Sequence, residues 1–274
     1  RPFGQSLQYC GNYYTLSNER IPFRKDKTED ERFFILTLIA IAEELAARGA
    51  GDQELYHIQL AVGLPPAHFG AQADRLTDYF QGRGIVEYVY QDKHYAICID
   101  NVACYPQAYA AAATMLHSLM DDPKAVVLDI GGFTADYLLM KNGNADLSSC
   151  DSLENGVIRL YNQIRSRGNS ELDLLLDESD VDAILTGKQT KYPVEAVRLV
   201  AQLAQEFVND LFSTLRERML DLRFCKVVFV GGGSILLRRQ IEASNKVGTP
   251  LFVTNINANA AGYEYIKKKK KMGR

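Results

Sequence analysis

Two glycine-rich segments, Asp129-Ile130-Gly131-Gly132-Phe133-Thr134 and Gly231-Gly232-Gly233-Ser234, each follow a short apolar run and carry the clearest chemistry in the sequence. Glycines placed after a strand let backbone N–H groups approach a phosphate or a flat ring without a Cβ in the way, and the hydroxyls of Thr134 and Ser234 add donors. Either segment alone is more often no more than a tight turn. The pair says more, because Asp129 closes its apolar run and would project toward whatever the turn holds. A carboxylate beside a phosphate is repelled unless a cation intervenes, so the chemistry implied is Mg2+ held mostly through water. The chain has no G-x-x-x-x-G-K-[ST] segment, which removes P-loop chemistry as the explanation.

The elements that must position these residues follow from hydrophobic patterning. Ala125 to Asp129 predicts a buried strand, Ala135 to Met140 a return strand, and a third short strand ends at Cys150 before a helix starting near Gly156. Lys226 to Val230 reads as a strand of a parallel sheet followed by a helix. Between them, Glu195 to Leu222 predicts a long helix with Val197, Val200, Ala204, Phe207, Leu211 and Leu215 on one face. Leu251 to Thr254 and Ala258 to Lys270 complete the chain as strand and helix. Upstream, Thr28-x-x-Glu31 predicts a capping box opening a helix that runs to Gly49. A strand over Leu55 to Val62, a helix over Phe69 to Phe80, a hairpin of Ile85 to Tyr90 with His94 to Ile99, and an Ala-rich helix over Pro106 to Met120 follow. Asp121-Asp122-Pro123-Lys124 marks the sharpest break in composition.

The chain has 274 residues, 47% of them apolar, enough for one large α/β domain or two of ordinary size. A formal net charge of -3 supplies no global positive field, so direct sequence-specific DNA binding is not expected. The five cysteines, odd in number and without a CxxC pair, read as reduced, mostly buried thiols, and the four histidines have no zinc spacing. The apolar runs are too short to span a membrane, and Arg1 to Gln5 has no signal-peptide character, so a cytoplasmic protein is expected. Lys267 to Lys271 suits either a solvated helix end or a contact with DNA or membrane.

The segment Val127-Leu128-Asp129-Ile130-Gly131-Gly132-Phe133-Thr134-Ala135-Asp136 resembles the second phosphate motif of the actin-like ATPase superfamily, which also contains Hsp70 chaperones and sugar kinases. Val228-Phe229-Val230-Gly231-Gly232-Gly233-Ser234 resembles its adenosine motif. Asp100 to Ala113, with Tyr105-Pro106-Gln107-Ala108, and Asn255 to Tyr263 resemble its two connecting helices. Leu60-Ala61-Val62-Gly63-Leu64-Pro65, with Tyr9 to Tyr14 ahead of it, is similar to the plasmid-segregation actins of the ParM/StbA group. The resemblance implies an α/β, two-domain actin-like (ribonuclease H-like) fold with a nucleotide cleft between domains. The first domain would comprise residues 1–121 plus 255–274, the second 122–254.

The same resemblance implies an ATP or GTP hydrolase working with Mg2+. Asp129 would serve the metal and catalysis, Gln107 would orient the attacking water, and Gly131, Gly132, Phe133 and Thr134 would hold phosphate. Gly231, Gly232, Gly233 and Ser234 would lie at the adenosine, with Gly156 opening a helix whose first amides could face the nucleotide. The implied partners are further copies of the chain in a helical filament and an adaptor bound to centromere-like plasmid DNA, with no membrane. A first D-x-G loop is not found upstream of Leu7, so weak nucleotide binding is expected of a chain that looks N-terminally incomplete. The alternatives are a small-molecule kinase of the same superfamily, with Asp136 or Asp100 as base, and a non-hydrolysing scaffold module.

Overall fold

A computed structural model describes residues 6–17, 21–22, 24, 26–49, 54–113, 115–188 and 191–272. The chain packs as two units, residues 1–62 with 70–104, and residues 63–69 with 105–274. This division differs from the break in composition at 121. Residues 105–121 and 255–274 both belong to unit 2, where helices from these segments pack on one another.

Unit 1 is built on strands β1 (Ser6–Tyr9) and β2 (Asn12–Thr15), helix α1 (Arg32–Ala47), strand β3 (Leu55–Leu64), helix α2 (Pro66–Phe80), and strands β4 (Ile85–Tyr90) and β5 (Lys93–Pro106), except that residues 63–69 and 105–106, at the ends of β3, α2 and β5, belong to unit 2. Its sheet has the order β2-β1-β4-β5-β3. Phe34, Leu38 and Ala42 of α1 are fully buried, as helical spacing requires. The expected capping box does not form, and α1 starts at Arg32 without a side-chain cap. Asp26 takes the backbone N–H and hydroxyl of Thr28 at 2.8 and 2.6 Å. Glu31 is held instead by Arg83 at 2.8 and 3.1 Å, and the Arg83 guanidinium lies 3.8 Å from the Phe34 ring centre. A bidentate ion pair on an aromatic face thus outcompetes a local cap.

Unit 2 begins with a single helical turn, α3 (Tyr109–Ala112), and a 3-10 turn (Leu116–Leu119). Strands β6 (Ala125–Ile130), β7 (Ala135–Lys141) and β8 (Asn144–Leu153) follow, then helices α4 (Val157–Leu172), α5 (Glu178–Leu185) and α6 (Val194–Glu217). Strand β9 (Lys226–Val230), helices α7 (Gly232–Leu236) and α8 (Arg238–Ala243), strand β10 (Thr249–Phe252) and helix α9 (Ala258–Met272) complete it. The sheet order is β10-β9-β6-β7-β8, with β6-β7-β8 antiparallel and β6, β9 and β10 parallel. Alternation along the strands sends Val126, Leu128, Ile130, Val227 and Phe229 to a core shared with α4, α5 and α6. Val127, Val228 and Val230 face Ala108, Ala111, Ala112 and Ala258 on the other side.

The helix expected over Pro106 to Met120 is replaced by an extended strand to Pro106, one turn of α-helix and a 3-10 turn. The interruption is at Ala108, whose φ of 59° and ψ of -57° place it in a γ-turn closed by a 2.5 Å bond from Tyr109 N–H to the Gln107 carbonyl. Ala110, within the one helical turn that does form, brings its backbone to where any side chain on Gly262 of α9 would be. α6 ends five residues before the expected Leu222, since Arg218 leaves helical geometry and Met219 adopts a φ of 64°. None of the five cysteines is in a disulfide, but only Cys225 is buried, contrary to the expectation of mostly buried thiols. Among the described residues no helix is long and apolar enough to cross a membrane. The expectation for Arg1 to Gln5 lies outside the described residues. Lys268 pairs with Glu264 at 2.6 Å, and the side chains of residues 269–271 are likewise outside them.

Candidate functional site

Asp129 is the penultimate residue of β6, opposite Asp136 of β7 and beside Val230 of β9. Its Oδ2 accepts a 2.9 Å bond from the side-chain amide of Asn259 on α9. Gly231, at a φ of 85°, packs against Oδ1 so closely that a Cβ there would overlap it. Burial raises the Asp129 carboxyl above the usual carboxylate range, and the Asn259 bond opposes that rise. A half-buried carboxylate whose charge is disfavoured, with donor chemistry of hard oxygen, fits a Mg2+ ion as a neighbour.

Asn259 also accepts, through Oδ1, a 3.0 Å bond from the backbone N–H of Ala108. One side chain therefore links the Asp129 carboxylate to the γ-turn that follows Gln107. The Gln107 N–H donates to the Leu64 carbonyl at 2.8 Å, and its Cγ lies 3.1 Å from where a Cβ on Gly63 would sit. Tyr263 fills the same space over Gly63 and stacks on Tyr105 with ring centres 5.6 Å apart. Sequence reading assigned Asn255 to Tyr263 to a connecting helix but did not single out Asn259. Its signal was available as the one polar side chain of Ala258-Asn259-Ala260-Ala261-Gly262.

The turn after β6 is closed by a 2.8 Å bond from Gly131 N–H to the Thr134 carbonyl. The amides of Gly156, Val157 and Ile158 donate to the carbonyls of Phe133, Gly131 and Gly132 at 3.1, 3.0 and 2.9 Å. The start of α4 therefore engages the turn itself rather than being open to a ligand. In a trans peptide the N–H points opposite to the carbonyl. With the carbonyls of residues 131, 132 and 133 drawn to α4, the N–H groups of Gly132, Phe133 and Thr134 point away from it. Gly132 and Phe133 are exposed at the tip. Successive N–H groups on one side of a turn are donor chemistry that suits an anion. Gly156 permits this docking, because a Cβ there would overlap the backbone of Gly132 and Phe133.

The hydroxyls expected as donors are engaged internally. Thr134 Oγ1 lies 3.3 Å from Asp136 Oδ2, and Ser152 Oγ bonds to Asp136 Oδ1. Ser234 is buried and donates to the Val230 carbonyl at 2.5 Å. Gly233 is buried, with a would-be Cβ 2.7 Å from Ile130 and Val157, whereas Gly232 is exposed with no neighbour within 4 Å. Of the second glycine run, Gly232 thus presents an open face and Gly233 and Ser234 seat the turn. Asp136 is buried and bonded, and Asp100 lies in unit 1 paired with His57.

The sheet order of unit 2, its D-x-G-G hairpin and its outward amides define a protein of the actin-like fold. Two family models match the chain, one described as the N-terminal domain of actin-like proteins over residues 4–109, the other as the C-terminal part of the archaeal MreB-like actin homologue over residues 127–243. The chain belongs to the actin-like superfamily. Among solved structures it is similar to the archaeal actin homologue Ta0583 in complex with ADP, at 19% identity and a TM-score of 0.71, covering 97% of this chain and 89% of that one. It is also similar to the apo pSK41 ParM protein, at 15% identity and a TM-score of 0.68 over 98% and 84% of the two chains. The Alp12 filament structure matches at 17% identity and a TM-score of 0.62 over 97% and 84%. No curated protein sequence matches.

Proposed function

We propose that this chain is a filament-forming, plasmid-segregating actin-like protein that binds and hydrolyses ATP or GTP with Mg2+. The observation that carries the reading is the set of outward N–H groups at Gly132, Phe133 and Thr134 beside the half-buried Asp129 carboxylate. Phosphate oxygens would accept from those amides. Mg2+ bound with nucleotide supplies positive charge to the phosphates and to Asp129. Asn259 orients the Asp129 carboxylate and, through the Ala108 amide, holds the γ-turn from which Gln107 would position the attacking water. An amide is a poor base, so the contribution of Gln107 is orientation rather than proton abstraction. Gly232 would let the adenosine lie against the backbone.

Head-to-tail contacts between copies generate open filaments when the rotation does not close. Linkage to plasmid DNA would run through an adaptor, in keeping with a net charge of -3. Support for this reading comes from the ParM and Alp12 proteins among the structural neighbours and from the ADP complex of Ta0583. Sedimentation of the full-length protein with ATP, with GTP and without nucleotide tests it. Nucleotide-dependent pelleting is expected, and Asn259→Ala should slow phosphate release while leaving nucleotide binding within about threefold, as expected of a positioning residue. A protein that stays in the supernatant at high concentration with both nucleotides overturns the reading.

A further inference from the structure

A group of side chains on unit 1 takes no part in the proposed chemistry. Cys98 and Asp100 alternate on β5 with the buried Tyr95, Ile97 and Ile99, so they point to the opposite face of the sheet. His57 lies on β3, the neighbouring edge strand. The histidines and cysteines lack zinc spacing along the chain, yet strand pairing brings one of each together with a carboxylate. One ligand atom from each of His57, Cys98 and Asp100 lies within 4.8 Å of the others. His57 Nδ1 is 2.9 and 3.1 Å from the two Asp100 oxygens.

We propose that His57, Cys98 and Asp100 form a binding site for a divalent transition-metal ion of the zinc class, clipping the edge strand β3 to β5. The donor set argues for that class: thiolate and imidazole favour zinc over Mg2+ or Ca2+, and a carboxylate is a common third ligand. Zinc bonds of about 2.0–2.3 Å in a tetrahedron place ligand atoms roughly 3.3–3.8 Å apart. The His57–Asp100 separation lies just under that spacing and all three ligand atoms lie within 4.8 Å of one another, so the group is close to the arrangement the ion needs. Half the His57 side chain or more is exposed, and Asp100 is 43% exposed, which lets an ion enter and leaves the fourth position to water.

The test uses the whole 274-residue chain after chelation, titrated with Zn2+ and, separately, with Co2+ as a spectroscopic probe. One zinc per chain is expected, and Co2+ should develop a thiolate-to-cobalt charge-transfer band. Cys98→Ser should abolish the band, and His57→Ala should weaken zinc binding roughly tenfold or more, the loss that even an outer partner of a metal ligand brings. Cys10→Ser, at an exposed thiol elsewhere in the unit, should change neither. Should Cys98→Ser fail to fold, zinc protection of Cys98 from alkylation in the unmodified chain, read by mass spectrometry, decides the matter. A band that survives Cys98→Ser, a zinc content well below one, or equal alkylation of Cys98 with and without zinc would overturn the proposal.

Discussion

The two glycine-rich turns of unit 2 follow neighbouring parallel strands, yet they need glycine for opposite reasons. In the turn after β6, neither Gly131 nor Gly132 has a positive φ, and the nearest obstacle to a Cβ on Gly132 is the end of the Ile158 side chain at 3.3 Å. Glycine there keeps the outward amides accessible. In the turn after β9, Gly231 has a φ of 85° against Asp129, and Gly233 is wedged between Ile130 and Val157. Glycine there lets one turn seat against the other. The docking glycine of the first turn is Gly156, at the start of α4 and distant in sequence. A glycine pattern therefore marks a candidate site without saying which glycines meet a ligand.

The sharpest way to break this contrast is Gly156→Ala, whose Cβ must displace backbone. It should cost about 3 kcal/mol, lowering the thermal midpoint by roughly 6–12 °C. A midpoint within about 2 °C of the parent would mean that α4 does not dock on the turn.

A smaller effect of opposite sign is expected for Asp129→Asn. The Asp129 carboxyl is raised in the folded state by burial, so the fold binds more protons than the unfolded chain between the ordinary carboxylate value and the raised one. Stability from this group is complete below the ordinary value and falls as pH rises through the raised one. The Asn variant removes that fall and should raise stability at pH 7 by on the order of 1 kcal/mol, while erasing any Mg2+-nucleotide stabilisation. Thermal melts across pH 3 to 8 check both; a parallel loss of stability at all pH values would show that the carboxylate is already compensated.

Gly232→Ala should have the smallest effect on the fold, within about 0.5 kcal/mol, because nothing lies within 4 Å of the added methyl. Its effect should appear instead in nucleotide binding, measured by calorimetry on the full-length protein. Equal losses of stability for Gly232→Ala and Gly156→Ala would dissolve the distinction between presenting and seating glycines.

Much of the fold was legible because strands β6, β7 and β9 are strongly apolar and bounded by turn residues, and the structure places them within a residue of the expected limits. Two of the misreadings share one cause. Thr28 with Glu31, and the alanines after Pro106, carry sound local signals that distant partners oppose: Arg83 draws Glu31 away, and Asn259 of α9 holds the Ala108 amide in the γ-turn that interrupts the alanine segment. The candidate site was legible at Asp129 and the glycines, whose spacing along one strand and turn is local. Asn259 escaped notice because its two partners, Ala108 and Asp129, meet only after folding.

By itself the sequence determined the strands around the site, the superfamily resemblance and the two turns, since hydrophobic period and glycine placement act over a few residues. Tertiary structure alone decided which peptide groups point outward, because that orientation is set by the amides of α4 capturing the carbonyls of the turn. It also decided that His57, Cys98 and Asp100 converge. Pairing of β3 with β5 is a long-range contact, and no spacing within either strand announces what the other will bring beside it.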